Sequence, residues 1–195
     1  GRGRYVSSVS SCAQLPRQAG VRGIMNRGER RKAALIEPDM RVRGVWEIDL
    51  DELSRRGVAG IIVDIDNTIA PWGTYDLYEP AAEWLERARN RGFGLCLLTN
   101  NYHSRADWFA RALGLPVVCG WVKPWRWGYR RAMQILGTCP DSTVMVGDQL
   151  FTDILGARRL GIHAILVSPL SDRELPHTRL KRRLERFLLG RRDDS

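Results

Sequence analysis

The sequence predicts an α/β protein built on a doubly wound, Rossmann-like parallel sheet of about five strands. Three observations carry this. Short Val/Ile/Leu-rich runs recur between residues 58 and 167 without polar alternation, as in strands buried on both faces. Helix-length stretches, several closed by glycine, separate these runs. Acidic residues follow two of the runs directly, at the strand ends where open α/β sheets form their ligand crevice.

The elements follow in order. Leu35 to Val45 reads as an extended lead-in, and Asp49 as the cap of a short helix, Leu50 to Arg56, closed by Gly57. Val58 to Val63 is the first strand, followed by a loop over Ala70 to Tyr78. Pro80 stands in the first turn of a helix that runs to about Arg91 and stops at Gly92. Phe93 to Leu98 is the second strand, and Ser104 to Leu113 a helix ended by Gly114. A short strand, Val117 to Cys119, leads through a lysine loop to a helix over Trp127 to Leu136. The strand Thr143 to Val146, a helix over Leu150 to Leu160, the strand Ala164 to Val167 and a last helix over Leu175 to Leu189 complete the alternation.

The 195 residues suffice for one domain with a proper core, assigned to residues 33–172, between two basic ends. Residues 1–32 hold eight Lys/Arg and one Glu and read as an unstructured extension. Their Gly/Arg/Ser-rich composition reads as an upstream addition, with Met25 nearer the working start. Residues 173–195 hold eight Lys/Arg and four acids, and the helix there is basic and amphipathic. The middle is nearly neutral, with fifteen basic and seventeen acidic residues. Cys12, Cys96, Cys119 and Cys139 form no CxxC pair, which points to a reducing, cytoplasmic setting without disulfides or zinc. No apolar run reaches 18 residues, so no transmembrane helix is expected.

The chemistry concentrates in four places. Asp64 and Asp66 end the first strand, and Thr99 ends the second, followed by Asn100 and Asn101. Lys123 stands alone before Pro124, and Asp148 ends a strand in Gly-Asp with Asp153 five positions on. Each has a plainer reading. Asp148 fits a helix N-cap, Asp153 is an acid favoured in a first helical turn, Thr99 fits a strand-end turn, and Lys123 fits the surface. His103, His163 and His177 have no metal-like spacing and read as structural or surface residues.

The order of these segments, Asp64–Thr68 (DIDNT), Leu97–Asn101 (LLTNN), Lys123-Pro124 and Val146–Asp153 (VGDQLFTD), resembles the four motifs of the haloacid dehalogenase-like (HAD) phosphohydrolases. At finer grain the chain resembles the YqeG-type HAD-IIIA family, related to phosphatases of phosphatidylglycerophosphate. The resemblance implies a HAD-type fold and an Mg²⁺-dependent phosphomonoester hydrolase. Asp64 is the implied nucleophile, forming an aspartyl-phosphate, and Asp66 the implied acid and base. Thr99 through its hydroxyl and Asn100 through its backbone N–H are expected to hold the phosphoryl group. Lys123 is expected to offset its charge. Asp64, the Asp66 carbonyl, Asp148 and Asp153 are the expected metal ligands. Asn67 and Thr68 are expected to shape the loop by bonding to its backbone.

Asp66 to Thr99 is 33 residues and Thr99 to Lys123 is 24, too few for a large cap domain in either interval. An open site suits a bulky substrate, and a lipid headgroup at an anionic membrane is the leading expectation. Trp72 and Tyr75 follow the first motif, and Trp121, Trp125, Trp127 and Tyr129 surround Lys123. Indoles favour the lipid–water interface, and a cytoplasmic enzyme lying peripherally at the inner face of the membrane is the expectation. Packing in the core is the plainer use of such residues. A soluble nucleotide or sugar phosphate is a competing substrate. A non-enzymatic RNA- or ribosome-associated module suits the basic tails but has no need of Asp64, Asp66, Lys123 and Asp148 together. The sequence leaves the oligomeric state open.

Overall fold

The structure is a computed structural model that describes residues 36–101 and 103–170. The basic extension expected over 1–32 and the helix expected over Leu175–Leu189 lie outside the described residues.

Six parallel strands form one sheet: β1 (Met40–Val42), β2 (Gly60–Val63), β3 (Gly94–Thr99), β4 (Val117–Cys119), β5 (Thr143–Gly147) and β6 (His163–Val167). Their spatial order is β1-β6-β5-β2-β3-β4. From β2 the chain winds outward through β3 to β4, then returns to lay β5 on the other side of β2. The winding reverses between β2 and β5, so the carboxyl ends of those two strands frame the switch-point crevice.

The helices are α1 (Leu50–Arg55), α2 (Glu79–Asn90), α3 (His103–Leu113), α4 (Arg126–Leu136) and α5 (Leu155–Arg158). Alternation along each strand sorts the core into two layers. Ile61, Val63, Leu95, Leu97, Val144 and Val146 pack with Leu53 of α1, Trp84 of α2 and Phe109 of α3. Ile62, Cys96, Leu98 and Met145 face Tyr129 and Met133 of α4 and Ala157 of α5. Helices thus cover both faces, which is why the central strands carry unbroken apolar runs.

Three expectations need correction. The sheet has a sixth strand, because the extended lead-in pairs with β6, Met40 against Ile165 and Val42 against Val167. Asp39 fixes this edge: it accepts from the Ala164 N–H at 2.9 Å and pairs with Arg158 at 2.6 Å. The helix expected over Leu150–Leu160 begins as a π-helical turn, Leu150–Ile154, before the short α5. The Tyr129 hydroxyl lies 2.7 Å from the Thr152 carbonyl and 3.2 Å from that of Asp153, holding the widened turn. Tyr129 is therefore fully buried and does not join the exposed aromatics around Lys123. Only α2 with its leading loop separates β2 from β3, and only α3 separates β3 from β4, so neither interval holds a cap domain.

Candidate active site

Asp64 leaves the sheet at the tip of β2, where its backbone N–H still donates to the Val146 carbonyl at 2.9 Å. That bond ties the chain leaving β2 to β5. The next residues turn sharply. Asn67 adopts a left-handed conformation with φ 57°, tolerated by Asn, and its Oδ1 accepts from the Trp72 N–H at 3.3 Å. The Thr68 hydroxyl does not bond to the loop as expected. It is buried without a hydrogen-bond partner among the described residues.

Lys123 reaches the centre of the site although its chain position is remote. Its ammonium lies 2.5 Å from Asp64 Oδ1 and 2.8 Å from Asp153 Oδ1, and the residue is 4% exposed. The surface reading of Lys123 is thereby excluded. Asn100 positions the lysine loop: its Oδ1 accepts from the N–H groups of Val122 at 3.1 Å and Lys123 at 2.8 Å, and its Nδ2 donates to the Lys123 carbonyl at 2.9 Å. This side-chain role had no signal beyond the position of Asn100 at a strand end. Thr99 is buried beside it, its Oγ1 accepting from the Asn101 N–H at 3.1 Å.

Asp153 enters from the π turn. It is fully buried, its Oδ2 accepts from the Gln149 N–H at 3.0 Å, and it packs against Gly147 so closely that a Cβ there would overlap its carboxylate. Asp148, at the tip of β5, completes the group. One carboxylate oxygen each from Asp64, Asp148 and Asp153 lie within 4.8 Å of one another.

Asp66 faces a different set of partners. Arg105 of α3 forms an ion pair with its Oδ1, Asn101 donates to its Oδ2, and the Gly73 N–H donates to Oδ1 at 3.3 Å. Its carboxylate stands outside the three-carboxylate group. Arg105 also donates to the Thr74 carbonyl at 2.6 Å and the Pro71 carbonyl at 3.3 Å, and lies 5.1 Å from the Phe109 ring centre. Sequence reasoning gave neither Arg105 nor Asn101 a role. Arg105 sits in a helix of mixed polarity, where an arginine ordinarily faces water.

The electrostatics of the site are unbalanced. Asp64, Asp66, Asp148 and Asp153 meet two cations, Lys123 and Arg105, leaving a charge of −2 when all are ionised. Burial pushes Asp64 well above the usual carboxylate range, against the pull of Lys123 and with help from the neighbouring Asp153. Burial and then the Asp153 charge push Asp148 up to about 7. Burial alone lowers the Lys123 pKa, but Asp153 and Asp64 outweigh it and hold the ammonium protonated. Asp64 Oδ2 and Asp148 Oδ1 are buried without hydrogen-bond partners among the described residues. Buried anionic oxygens left unpaired are costly. A hard divalent cation relieves both the charge and the missing partners, so the donor set fits such an ion.

Comparison with known proteins agrees with this geometry. The family profile of the haloacid dehalogenase-like hydrolases matches residues 14–161. The chain is 34% identical over 153 residues to the probable phosphatase YqeG of Bacillus subtilis strain 168, covering 78% of this chain and 89% of that one. It is 29% identical over 166 residues to phosphatidylglycerophosphate phosphatase 1, chloroplastic/mitochondrial, of Arabidopsis thaliana, covering 80% of this chain but 48% of that longer protein. Among solved structures, NagD from E. coli K-12 shares the fold with a TM-score of 0.50 at 17% identity, covering 62% of this chain and 93% of that one. The chain belongs to the haloacid dehalogenase-like hydrolases, as an enzyme that cleaves phosphoric monoester bonds.

Proposed function

We propose that the enzyme hydrolyses its phosphomonoester through an aspartyl-phosphate on Asp64, with Mg²⁺ as cofactor and phosphatidylglycerophosphate as the leading substrate, in phospholipid biosynthesis. The observation that carries the mechanism is the buried group of Asp64, Lys123, Asp148 and Asp153 at the switch point, with its surplus of negative charge.

Asp64 attacks phosphorus and the bond to the leaving oxygen breaks. Lys123, 2.5 Å from Oδ1, favours the ionised nucleophile against the effect of burial and then offsets the charge of the phosphoaspartate. Asp66 delivers a proton to the leaving oxygen. It takes one back from the water that attacks phosphorus in the second step, releasing inorganic phosphate and free Asp64. Thr99 and the Asn100 N–H hold phosphoryl oxygens. Asp64, Asp148 and Asp153 are the side chains that would hold Mg²⁺, with the Asp66 carbonyl as a further donor. When bound, the ion supplies positive charge where an anionic nucleophile meets an anionic phosphate.

Two observations support a lipid phosphate. The described residues carry no cap domain over the site, and a relative covering 80% of this chain is a phosphatidylglycerophosphate phosphatase. The test is phosphate release from a panel: phosphatidylglycerophosphate in mixed micelles, soluble phosphomonoesters and phosphopeptides. The expected result is the highest kcat/KM on the lipid phosphate. Preference for a soluble nucleotide or sugar phosphate would overturn the lipid assignment.

A further inference from the structure

Four residues past the tip of β4, Lys123 carries the chain from the active site directly into an exposed surface of unusual composition. Trp121 is 72% exposed, Trp125 56% and Trp127 54%. Indoles this exposed stand against the usual burial of tryptophan. They line a shallow cavity of about 710 Å³ together with Pro124, Arg126, Arg130 and Arg159. No carboxylate lines it, and from Cys119 to Pro140 the chain holds no Asp or Glu. The inward side of the same segment is fixed: Val122, Gly128 and Tyr129 are buried, and a Cβ at Gly128 would overlap Val122. The outward indoles and guanidinium groups therefore sit on a rigid base rather than a floppy loop.

We propose that this face docks on an anionic phospholipid bilayer and brings the mouth of the active site against the membrane surface. The chemistry of the face matches an interface that is apolar inside and negative outside. Indoles settle at the headgroup level, and arginines there attract anionic lipids. The Asn100 clamp on Lys123 makes the docking face and the catalytic lysine one mechanical unit. This inference rests on the phosphatase reading only for its benefit to turnover, because docking itself needs no chemistry.

The test uses the full chain and vesicles of mixed phosphatidylglycerol and phosphatidylcholine, with pure phosphatidylcholine as reference. The wild type should sediment with the mixed vesicles and far less with the neutral ones, and added salt should weaken the binding. Arg126→Gln combined with Arg130→Gln should reduce binding at least about tenfold. Trp125→Ser combined with Trp127→Ser should do the same. All four side chains are exposed, so turnover of a soluble aryl phosphate should hold in both variants. As a check needing no variant, lipids brominated in the acyl chains should quench wild-type tryptophan fluorescence in the mixed vesicles. Unchanged vesicle binding in both variants, absence of quenching, or binding to single-stranded RNA in place of vesicles would overturn the proposal. A wild type that ignores vesicles but cleaves soluble phosphomonoesters would overturn docking alone. One that docks through this face yet cleaves no phosphomonoester would keep the docking and overturn the phosphatase reading.

Discussion

Asp64 and Asp66 stand two positions apart and meet opposite cations, Lys123 for the first and Arg105 for the second. In the proposed mechanism this division separates the nucleophile from the acid–base group. Asp64→Asn should reduce turnover to below about a hundredth of wild type, measured as phosphate release, while thermal unfolding shows the fold intact. Arg105 is the less expected partner. It fixes the Asp66 carboxylate and, through the Pro71 and Thr74 carbonyls, the loop above it. Arg105→Met should lower kcat about tenfold or more on an alkyl phosphate, whose leaving oxygen needs a proton, and less on an aryl phosphate, which does not. Equal loss on both would mean that Arg105 acts only by holding the loop. The same variant should lose about 3 kcal/mol of stability in denaturant unfolding, because a buried carboxylate is left without its cation. Asp64, Asp66, Lys123 and Asp148 were legible in the sequence because strand tips and an isolated Lys-Pro mark them. Arg105 was not, since its role exists only through residues 31 to 39 positions away.

Elements decide where these residues point. The strands around β2 were readable from apolar runs, and the Asp49 cap from its position: its Oδ1 accepts from the Asp51 and Glu52 N–H groups. β1 was read as extended chain but not as a strand, because Met-Arg-Val carries no pattern and the pairing comes from Asp39 and β6. The π turn was equally hidden. A sequence of helix formers does not announce that Tyr129, more than twenty positions earlier, will bind its carbonyls. Yet this turn delivers Asp153 to Lys123 and to Gly147, and π turns recur at functional sites. Gly147→Ala should therefore displace Asp153 and destabilise the fold by about 1–3 kcal/mol, read by denaturant unfolding. It should also weaken the stabilisation given by Mg²⁺. A variant with wild-type response to Mg²⁺ would mean that Asp153 does not need its place against Gly147.

At the scale of the molecule, the doubly wound sheet gathers five segments of the chain into one crevice and leaves them with too much negative charge. The winding was legible from the order of strands and helices. The charge imbalance was not, because it depends on which side chains become buried together. Its consequence is measurable without catalysis. Mg²⁺ at a hundredfold excess over its Kd should stabilise the native protein by about 2.7 kcal/mol, raising Tm by several degrees. Chelator should remove both that stabilisation and activity, and full activity in excess chelator would contradict the metal assignment. No helix among the described residues is long and apolar enough to cross a membrane. The proposed docking on a membrane would run through the surface around Trp125. The proposed mechanism turns on a covalent intermediate on Asp64. Its most direct test is acid quenching during turnover, reduction with borohydride, and mass spectrometry of the peptide that contains residue 64. Asp64 should be converted to homoserine in wild type with substrate, with no conversion without substrate or in Asp64→Asn. Phosphate release with Asp64 unmodified, or the label on another residue, would contradict it.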